Sequence, residues 1–479
     1  MWIPIHDDMV ARQWRRLVWI LKLGALRVAH GLLLARLRFE AWLPVFGKPS
    51  RRPRIMASAS WTFPVYSQSF VQQEVLALAR AGFPVRFVYA RLGSRVELAD
   101  TCEALWPLKR RVLLHAATGA ADLARFRRRM PAQVEALTQL VATAAGMRPR
   151  DVERHEPFLQ AFSYARAVEA WRPDYLHSYF FYEQTLFALV ASQLLGIPRG
   201  VTCYADHMLQ DYPLKLVRLH LQTCDVIVAT SRRIRAELET LHGAPLHQLI
   251  VKPNSIDTSS FRVKDGWFRP AGKPLRVLSV SRIDPKKGIE YLIDAMRILT
   301  ERGVPVEAHI VGAADSHSPE SRAYETALRT RTAELGLAGA IHFAGRRTSR
   351  EVRRFLDDAQ VFVAPYVDLP NGDKDGIPTA VLEAMATGSA IVATDAGSIC
   401  EIIDDGQQGL IVPQRDAQAL ATAVQRVTQP ALATRLSSGA AARVRNEYDV
   451  ASSEGVFHDL VCVAVEARRR TRLASKARR

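Results

Sequence analysis

The sequence predicts an α/β protein made of two parallel-sheet domains in series, preceded by a basic helix. Its 479 residues exceed what one ordinary core uses, and 48% apolar with 24% charged residues is typical of a globular protein. From residue 54 onward, short apolar runs alternate with helical stretches, which is the pattern of βαβ units. The polar stretch "RVKDGWFRPAGKP" at 262–274 interrupts this alternation and predicts the domain boundary.

Residues 1–53 form the predicted basic amphipathic segment. Residues 1–54 contain 11 Lys or Arg against 3 Asp or Glu. Large apolar side chains interleave with the basic ones, namely Trp14, Trp19, Leu23, Leu26, Leu33 and Leu37. The pattern indicates a helix lying in a membrane interface, where basic groups meet anionic headgroups. A helix packed on the protein is the alternative, because basic tails are common on soluble proteins.

This segment lacks the features of a signal peptide or a spanning helix. Lys22, Arg27 and His30 interrupt its apolar stretch, and no small-residue cleavage site is evident. No run of 18 or more uncharged apolar residues occurs in the chain. We therefore expect a cytoplasmic protein that is peripheral on the inner membrane leaflet.

In both of the segments that follow, predicted strands alternate with predicted helices. In residues 54–262 the predicted strands are "RIMASA", "VRFVYA", "DYLHSYF", "RGVTCYA" and "DVIVATS". In residues 274–445 they are "RVLSVS", "EAHIVG", "IHFAG", "VFVAP", "AIVAT" and "GLIV". A last helix is predicted at 446–466, and a basic tail at 467–479 has 7 Lys or Arg and no acidic residue. Two such domains create a cleft between the carboxyl ends of their sheets, where open α/β folds bind ligands.

Charge and cysteine content exclude some classes of function. The chain ends carry +8 and +7 of the formal net charge of +17. About +2 remains for the body of the protein, which argues against a nucleic-acid surface. The five cysteines are scattered without a CxxC pair, which argues against a disulfide framework or zinc site and for a reducing compartment.

A basic loop is predicted in "SVSRIDPKKGIEYLIDAM", between a strand and an amphipathic helix. Its tethered ends would aim Arg282 and Lys287 into the cleft, an arrangement suited to a pyrophosphate. A solvated basic turn is the alternative.

An acidic loop precedes a helix in "YVDLPNGDKDGIPTAVLEAMATGSAIVAT". Pro378 fits the first helical turn, and free backbone N–H groups around 376–379 would form an anion site at the positive helix end. Asp375 and Glu383 would both point at a ligand over that end, since Glu383 lies one turn beyond Thr379. Ordinary capping is an alternative for Asp375, but Glu383 lies in the otherwise apolar "AVLEAMA".

These stretches resemble a known family. "KPNSIDTSSF", "SRIDPKKGIEYLIDA" and "DGIPTAVLEAMATGSAIVAT…GSICEIIDDGQQGLIV" are similar to the C-terminal domain of the retaining glycosyltransferases of family 4, which have the GT-B fold of two Rossmann-like domains. "FPVYSQSFVQQEVLALARAG" resembles the family's N-terminal block. The resemblance covers roughly residues 54–460, with its motifs in order.

The resemblance implies specific roles for the residues. Arg282 and Lys287 would neutralise a donor diphosphate, and Glu383 would hold the ribose of a nucleotide sugar. Asp375, in the first acidic place of the family's Glu-x7-Glu motif, would contact the donor sugar. The other donor-binding candidates are Gly376, Ile377, Pro378, Thr379 and Asn254. Ser69 and Tyr204 are candidates for acceptor or sugar contact.

Departures from the family pattern concern the sugar side of the site. Asp375 replaces the usual Glu, and "IVGAAD" stands where the family commonly has Gly-x-Gly-Pro. A histidine of the N-terminal half faces the donor sugar in many relatives. The candidates here are His177 in "HSYF" and His207 in "TCYADHML", and either could equally be a structural histidine.

The sequence thus predicts a retaining hexosyltransferase that moves a sugar from a nucleotide sugar to a glycan or lipid-linked acceptor in cell-surface polysaccharide synthesis. Neither a metal nor another cofactor is expected, because basic groups can stabilise the departing diphosphate. A nucleotide-sugar epimerase or sugar phosphorylase of the same fold is one alternative. A catalytically silent, membrane-associated scaffold is the other, although it would have no reason to keep buried charges.

Overall fold

A computed structural model describes residues 7–42, 51–64, 68–93, 98, 103–210, 212–264, 272–316 and 318–477. Two α/β domains follow the first helix, α1, which spans Asp7–Trp42. Each domain is built around a parallel sheet. The predicted fold class is confirmed.

The N-terminal domain contains, within the described residues, a seven-stranded parallel sheet of order β5-β3-β1-β6-β7-β8-β9. Two short strands, β2 and β4, pair separately. The strands are β1 Ile55–Ser58, β2 Thr62–Phe63, β3 Val85–Tyr89, β4 Arg91–Leu92, β5 Lys109–Arg111, β6 Tyr175–Tyr179, β7 Arg199–Cys203, β8 Val226–Ala229 and β9 Leu249–Val251. The helices are α2 Ser69–Arg80, α3 Ala116–Arg129, α4 Pro131–Ala145, α5 Pro149–Val152, α6 Glu156–Trp171, α7 Glu183–Leu195, α8 Val217–Thr223 and α9 Arg232–His242.

Burial explains which N-terminal strands the sequence reveals. Every residue of β1, β6, β7 and β8 is buried, so these strands appear as continuous apolar runs. The five predicted strands are present. The edge strands β5 and β9 were missed, because β5 has the sequence "KRR" and an edge strand need not be apolar. Two arginines in the last turn of α3 are partly neutralised. Arg127 pairs with Glu153, and Arg129 Nη1 lies 2.6 Å from Glu169 Oε1.

The C-terminal domain has a six-stranded parallel sheet of order β12-β11-β10-β13-β14-β15, in which all six predicted strands are present. Its strands are β10 Leu275–Val280, β11 Val306–Val311, β12 Ile341–Gly345, β13 Val361–Ala364, β14 Ala390–Thr394 and β15 Leu410–Val412. Its helices are α10 Ile289–Glu301, α11 Pro319–Glu334, α12 Ser349–Asp358, α13 Thr379–Ala386, α14 Ala417–Arg426 and α15 Pro430–Glu447. Since β10 lies between β11 and β13, the chain reverses its winding direction there, and this switch point is where such sheets bind ligands.

The chain returns to the N-terminal domain through α16 Val450–Ser453 and α17 Gly455–Ala477. Phe457, Val461 and Val465 of α17 lie in an apolar cluster with the N-terminal strands. Arg469 Nη2 lies 2.8 Å from Asp174 Oδ1, just before β6. The helix therefore continues through the predicted boundary at 466 and includes most of the basic tail.

A buried ammonium group joins the segments where the chain crosses between domains. Lys252 Nζ, directly after β9, lies 3.0 Å from Glu74 Oε1 of α2 and 2.9 Å from Glu454 Oε1 before α17. Tyr204 donates a hydrogen bond to Glu74 and Ser255 donates one to Glu454. All three charged side chains are 3% exposed, so water does not screen the interaction.

Helix α1 packs on the N-terminal domain through one of its faces. Leu34 and Leu37 are buried in the core that includes α6, and His30 Nε2 lies 2.8 Å from Asp122 Oδ2 of α3. The assignment of Leu37 to a membrane-facing surface is therefore wrong, and Leu26 and Leu33, on the same side, are only partly exposed. The side chains of Trp14 and Trp19 lie outside the described residues. Across the described part of the chain, no helix is both long and apolar enough to span a bilayer.

Replacing Lys252 by Met should lower the free energy of unfolding by about 3–5 kcal/mol, because Glu74 and Glu454 would remain buried without a counter-charge. Urea unfolding followed by circular dichroism measures the change. The matched control is Arg80→Met. Arg80 Nη1 lies 3.5 Å from Asp257 Oδ2 in a solvent-screened ion pair, so its loss should cost less than about 1 kcal/mol. Equal effects of the two substitutions would contradict a structural role for the buried ammonium.

Candidate active site

Two loops meet at the switch point of the C-terminal sheet. The basic loop, residues 281–288, follows β10, and the acidic loop, residues 365–378, follows β13. Gly288 closes the basic loop with φ +57°, and a Cβ atom there would lie 2.0 Å from the Pro365 carbonyl oxygen. Only glycine permits this contact, so the two loops are held side by side.

Ion pairs connect the two loops. Lys286 Nζ lies 2.9 Å from Asp373 Oδ1 and 3.8 Å from Asp375 Oδ1, and Lys287 donates a hydrogen bond to the Asp375 carboxylate. Burial alone would raise the pKa of Asp375, but Lys287 and Lys286 together hold that pKa below its ordinary value. Lys287 Nζ also lies 4.0 Å from the ring centroid of Tyr366, a cation–π contact. The site therefore contains an ionised aspartate beside two ammonium groups.

The amino end of α13 adds backbone donors to this charge cluster. Pro378 directly precedes the first helical residue, Thr379, one position earlier than the sequence predicts. The first N–H groups of a helix have no intrahelical acceptor, so the amino end of α13 brings backbone donors and the positive end of the helix dipole to the acidic loop. Asn254 Nδ2 donates to the Ile377 carbonyl oxygen at 2.8 Å and fixes this turn from the linker between the domains.

Glu383 lies one turn into α13 and is only partly exposed. Burial raises the pKa of Glu383 to about 7, and the charge of Arg353 opposes this shift only in part. Within the described residues, no side-chain hydrogen bond or ion pair engages its carboxyl group. A half-buried carboxyl group without such a partner is suited to bind hydroxyl groups of a ligand.

The N-terminal domain closes over these loops. The Glu401 carboxylate accepts hydrogen bonds from the backbone N–H groups of Arg232 and Arg233, at 2.7 and 3.0 Å, at the amino end of α9. The Arg233 guanidinium donates to the Asp375 carbonyl oxygen at 2.8 Å and to Ser398 Oγ at 3.0 Å. One end of α9 is thus attached to the C-terminal domain at the acidic loop.

Glu237 forms a second bridge across the cleft. It lies 2.8 Å from Lys374 Nζ of the acidic loop and 3.0 Å from His207 Nε2. Although burial raises the pKa of Glu237, contacts with His207, Lys374 and Arg233 lower it to about 2. The acidic loop is therefore tied to the histidine that the sequence singled out in the other domain.

The remaining sequence-predicted residues lie at different distances from this cluster. Arg282 is exposed on the basic loop, and Tyr204 is buried with its carbonyl oxygen against Gly376. His207 uses Nδ1 toward Cys203 Sγ, at 3.2 Å, as well as Nε2 toward Glu237. His177 is buried and hydrogen-bonded to Thr202, and burial lowers the pKa of His177 to about 3.

Ser69, the first residue of α2, is exposed. The assignments of Ser69, His177 and His207 to a sugar or acceptor stay predictions.

Sequence reasoning missed several residues that shape the site. They are Lys286, Arg233, Glu237, Lys374 and Glu401. Of these residues, Lys286 could have been found from the sequence, because it directly precedes Lys287 in "PKK". The others act through contacts between domains, across separations of more than 100 residues in the chain, and such contacts leave no local pattern.

Comparison with known proteins identifies both domains. Residues 68–260 match a family model described as Glycosyltransferase Family 4, and residues 274–429 match one described as Glycosyl transferases group 1. The amylovoran biosynthesis glycosyltransferase AmsK of Erwinia amylovora is 32% identical over 231 residues, 48% of this chain and 54% of that protein. The lipopolysaccharide core biosynthesis mannosyltransferase LpsB of Rhizobium meliloti is 29% identical over 249 residues, 50% of this chain and 67% of that protein. The chain thus spans about half the length of curated relatives such as AmsK.

Solved structures share the fold. Anabaena Alr3699/HepE in complex with UDP and glucose superposes with a TM-score of 0.63 and 16% identity, over 86% of this chain and 100% of that one. Sucrose-phosphate synthase from Thermosynechococcus elongatus gives a TM-score of 0.62 and 19% identity, over 88% and 100%.

Replacing Gly397 by Ala should destabilise the acidic loop more than the same change at Gly372. Both glycines have positive φ, +58° and +87°, but a Cβ atom at Gly397 would lie 2.3 Å from the Asp375 carbonyl oxygen and one at Gly372 meets open space. Gly372→Ala should cost about 1 kcal/mol from backbone strain alone, and Gly397→Ala clearly more. Urea unfolding of both variants gives the two values, and equal losses would show that the contact with Asp375 does not matter.

Proposed function

Since the chain belongs to the family 4-like glycosyltransferases with the GT-B fold, we propose that it transfers a sugar from a nucleotide-sugar donor to a glycan or lipid-linked acceptor in cell-surface polysaccharide synthesis. The observation that carries this proposal is the meeting of the basic loop with the amino end of α13 at the switch point. Ammonium groups, the amino end of a helix and a half-buried carboxyl group lie there, and these are the kinds of group that bind phosphate and hydroxyl groups.

The basic loop would stabilise the leaving group. Glycosyl transfer builds negative charge on the departing diphosphate while the sugar becomes oxocarbenium-like. Lys287 and Arg282 would bind this charge, and the diphosphate would compete with Asp375 for Lys287. Fixed positive groups in a closed cleft favour the transition state over the ground state, because the charge they bind grows during the reaction.

Asp375 and Glu383 would bind different parts of the donor. The ionised Asp375 is held by Lys287, so we assign it to a sugar hydroxyl and not to nucleophilic attack. Glu383, farther along α13, would accept hydrogen bonds from the ribose. On the basis of the family resemblance, we propose that transfer retains the anomeric configuration and needs no divalent metal ion.

A panel of nucleotide sugars, each tested for hydrolysis and for transfer, provides the test. Glu383→Ala and Lys287→Ala should each reduce kcat/KM for the preferred donor by about 30- to 1,000-fold, which corresponds to about 2–4 kcal/mol of transition-state stabilisation. Glu301→Ala, an exposed carboxylate on α10, is the control. Full activity in either well-folded site variant would refute the site. Conversion of the donor to another nucleotide sugar without acceptor would instead indicate an epimerase.

Donor use should depend on pH through Glu383. Because the pKa of Glu383 is raised to about 7, its carboxyl group is mostly protonated below that pH and ionised above it. The ionised form accepts both ribose hydrogen bonds, so kcat/KM for the donor should rise between about pH 6 and pH 8. Glu383→Gln should have lower kcat/KM and no inflection near pH 7. An unchanged inflection in that variant would assign it to another group.

Chelation and product stereochemistry test the mechanism. Excess EDTA should leave the rate unchanged, because Lys287 and Arg282 supply the positive charge at the diphosphate. Proton NMR of the product should show the anomeric configuration of the donor. Loss of activity with EDTA that added metal restores, or an inverted product, would refute this mechanism.

A further inference from the structure

Helix α1 has two apolar faces, and the described residues of the protein cover one of them. His30, Leu34 and Leu37 face the N-terminal domain. The opposite side carries an outer stripe of large apolar residues that are between 41% and 79% exposed. The outer stripe consists of Val18, Leu21, Val28, Leu32, Phe39 and Trp42.

Helical geometry places these residues along one line. Leu21, Val28, Leu32 and Phe39 are separated by seven, four and seven positions, the spacing of a single helix face. Ala25 and Ala35 are also exposed within this stretch. Isolated exposed apolar residues are normal, but a continuous line of them marks an interaction surface.

Basic residues flank the outer stripe on both sides. Exposed Lys22 and Arg36 lie on one flank, and exposed Arg27 and Arg38 lie on the other, from their helical angles. Glu40 is the only acidic residue between 9 and 42, and its largely buried carboxylate pairs with Arg86 and Arg110 of the domain as well as with Arg36 of the flank. An apolar line between two basic rows is the arrangement of a helix that lies in a bilayer interface.

The basic end of α17 lies beside the carboxyl end of α1. Asp174 accepts a hydrogen bond from Arg469 and another from the backbone N–H of Arg54, at 2.8 and 2.9 Å. The Arg54 guanidinium in turn donates to the Ala41 carbonyl oxygen at 3.2 Å. Arg470 of α17 is 83% exposed. The two basic ends of the chain therefore belong to one side of the N-terminal domain.

We propose that the outer stripe of α1 inserts into the interface of an anionic lipid bilayer, with its basic flanks and the end of α17 on the headgroups. A second copy of the chain is a poorer occupant, because pairing two such faces would bring basic rows together. The inserted residues differ from those that the sequence pattern suggested, since Leu37 packs inward. This surface goes beyond the proposed catalytic function, and vesicle binding tests it without any assay of sugar transfer.

Co-sedimentation of the full-length protein with vesicles is the primary experiment. Vesicles of phosphatidylglycerol and phosphatidylethanolamine should bind the protein, whereas phosphatidylcholine vesicles should bind it weakly. Leu32→Glu combined with Phe39→Glu should weaken binding by about tenfold for each side chain. The matched control is Val456→Glu, which changes a 62% exposed apolar residue of α17 beside Glu454 and should bind like wild type.

Charge and insertion are measured separately. Arg27→Ala and Arg38→Ala should each weaken binding about fivefold at low salt and reduce its salt dependence. Lipids brominated on their acyl chains should quench Trp42 fluorescence, and Trp42→Phe should lose that quenching.

Three results would overturn the proposal. The first is equal binding of wild type to anionic and neutral vesicles, or to neither. The second is unchanged binding of the Leu32→Glu and Phe39→Glu variant. The third is a dimer in sedimentation velocity that this variant dissociates, which would assign the stripe to a second copy.

Discussion

The partly buried Asp375 is the point at which both loops and both domains meet. Its side chain pairs with Lys287 and Lys286 of the basic loop, and its carbonyl oxygen accepts from Arg233 of the N-terminal domain. Gly397 packs so closely against Asp375 that a Cβ atom at position 397 would collide with the Asp375 carbonyl oxygen. The candidate site is therefore a property of the closed arrangement of the two domains, and neither loop defines it alone.

The strength of the bridges across the cleft bears on how a substrate enters. Lys374 and Glu237 have side chains that are 27% and 20% exposed, so their attraction is partly screened. Such a pair contributes about 1 kcal/mol, in contrast to the buried Lys252 cluster, whose disruption costs about 3–5 kcal/mol. Glu401 and Asp375 also accept hydrogen bonds from Arg232 and Arg233 across the cleft. Substrate entry that separates the domains there would have to break these contacts as well as the Lys374–Glu237 pair.

Whether the sequence predicts a feature depends on how far apart in the chain the interacting residues lie. Parallel strands buried on both faces appear as apolar runs, so the central strands of both sheets were predictable, and the charged edge strand β5 was not. Residues 375–383 form one local unit, a loop followed by a helix, and local chemistry was enough to find them. Glu401 and Glu237 act across the cleft, where no sequence spacing applies. For α1, the sequence pattern predicts a helix, but contacts with the folded domain, such as that of His30 with Asp122, decide which apolar face turns inward.

Helix α17 links the crossing segments to the proposed bilayer surface. Phe457 of its first turn packs on His177, and Glu454 just before it holds Lys252, while Arg469 near its other end holds Asp174 beside α1. A helix of 23 residues spans about 34 Å and resists bending when its sides are packed. The surface that carries α1 and the segments that fix the two domains are thus held at a set separation. A protein docked through α1 would therefore present its cleft in one orientation to the membrane, which suits an acceptor that is carried on a lipid.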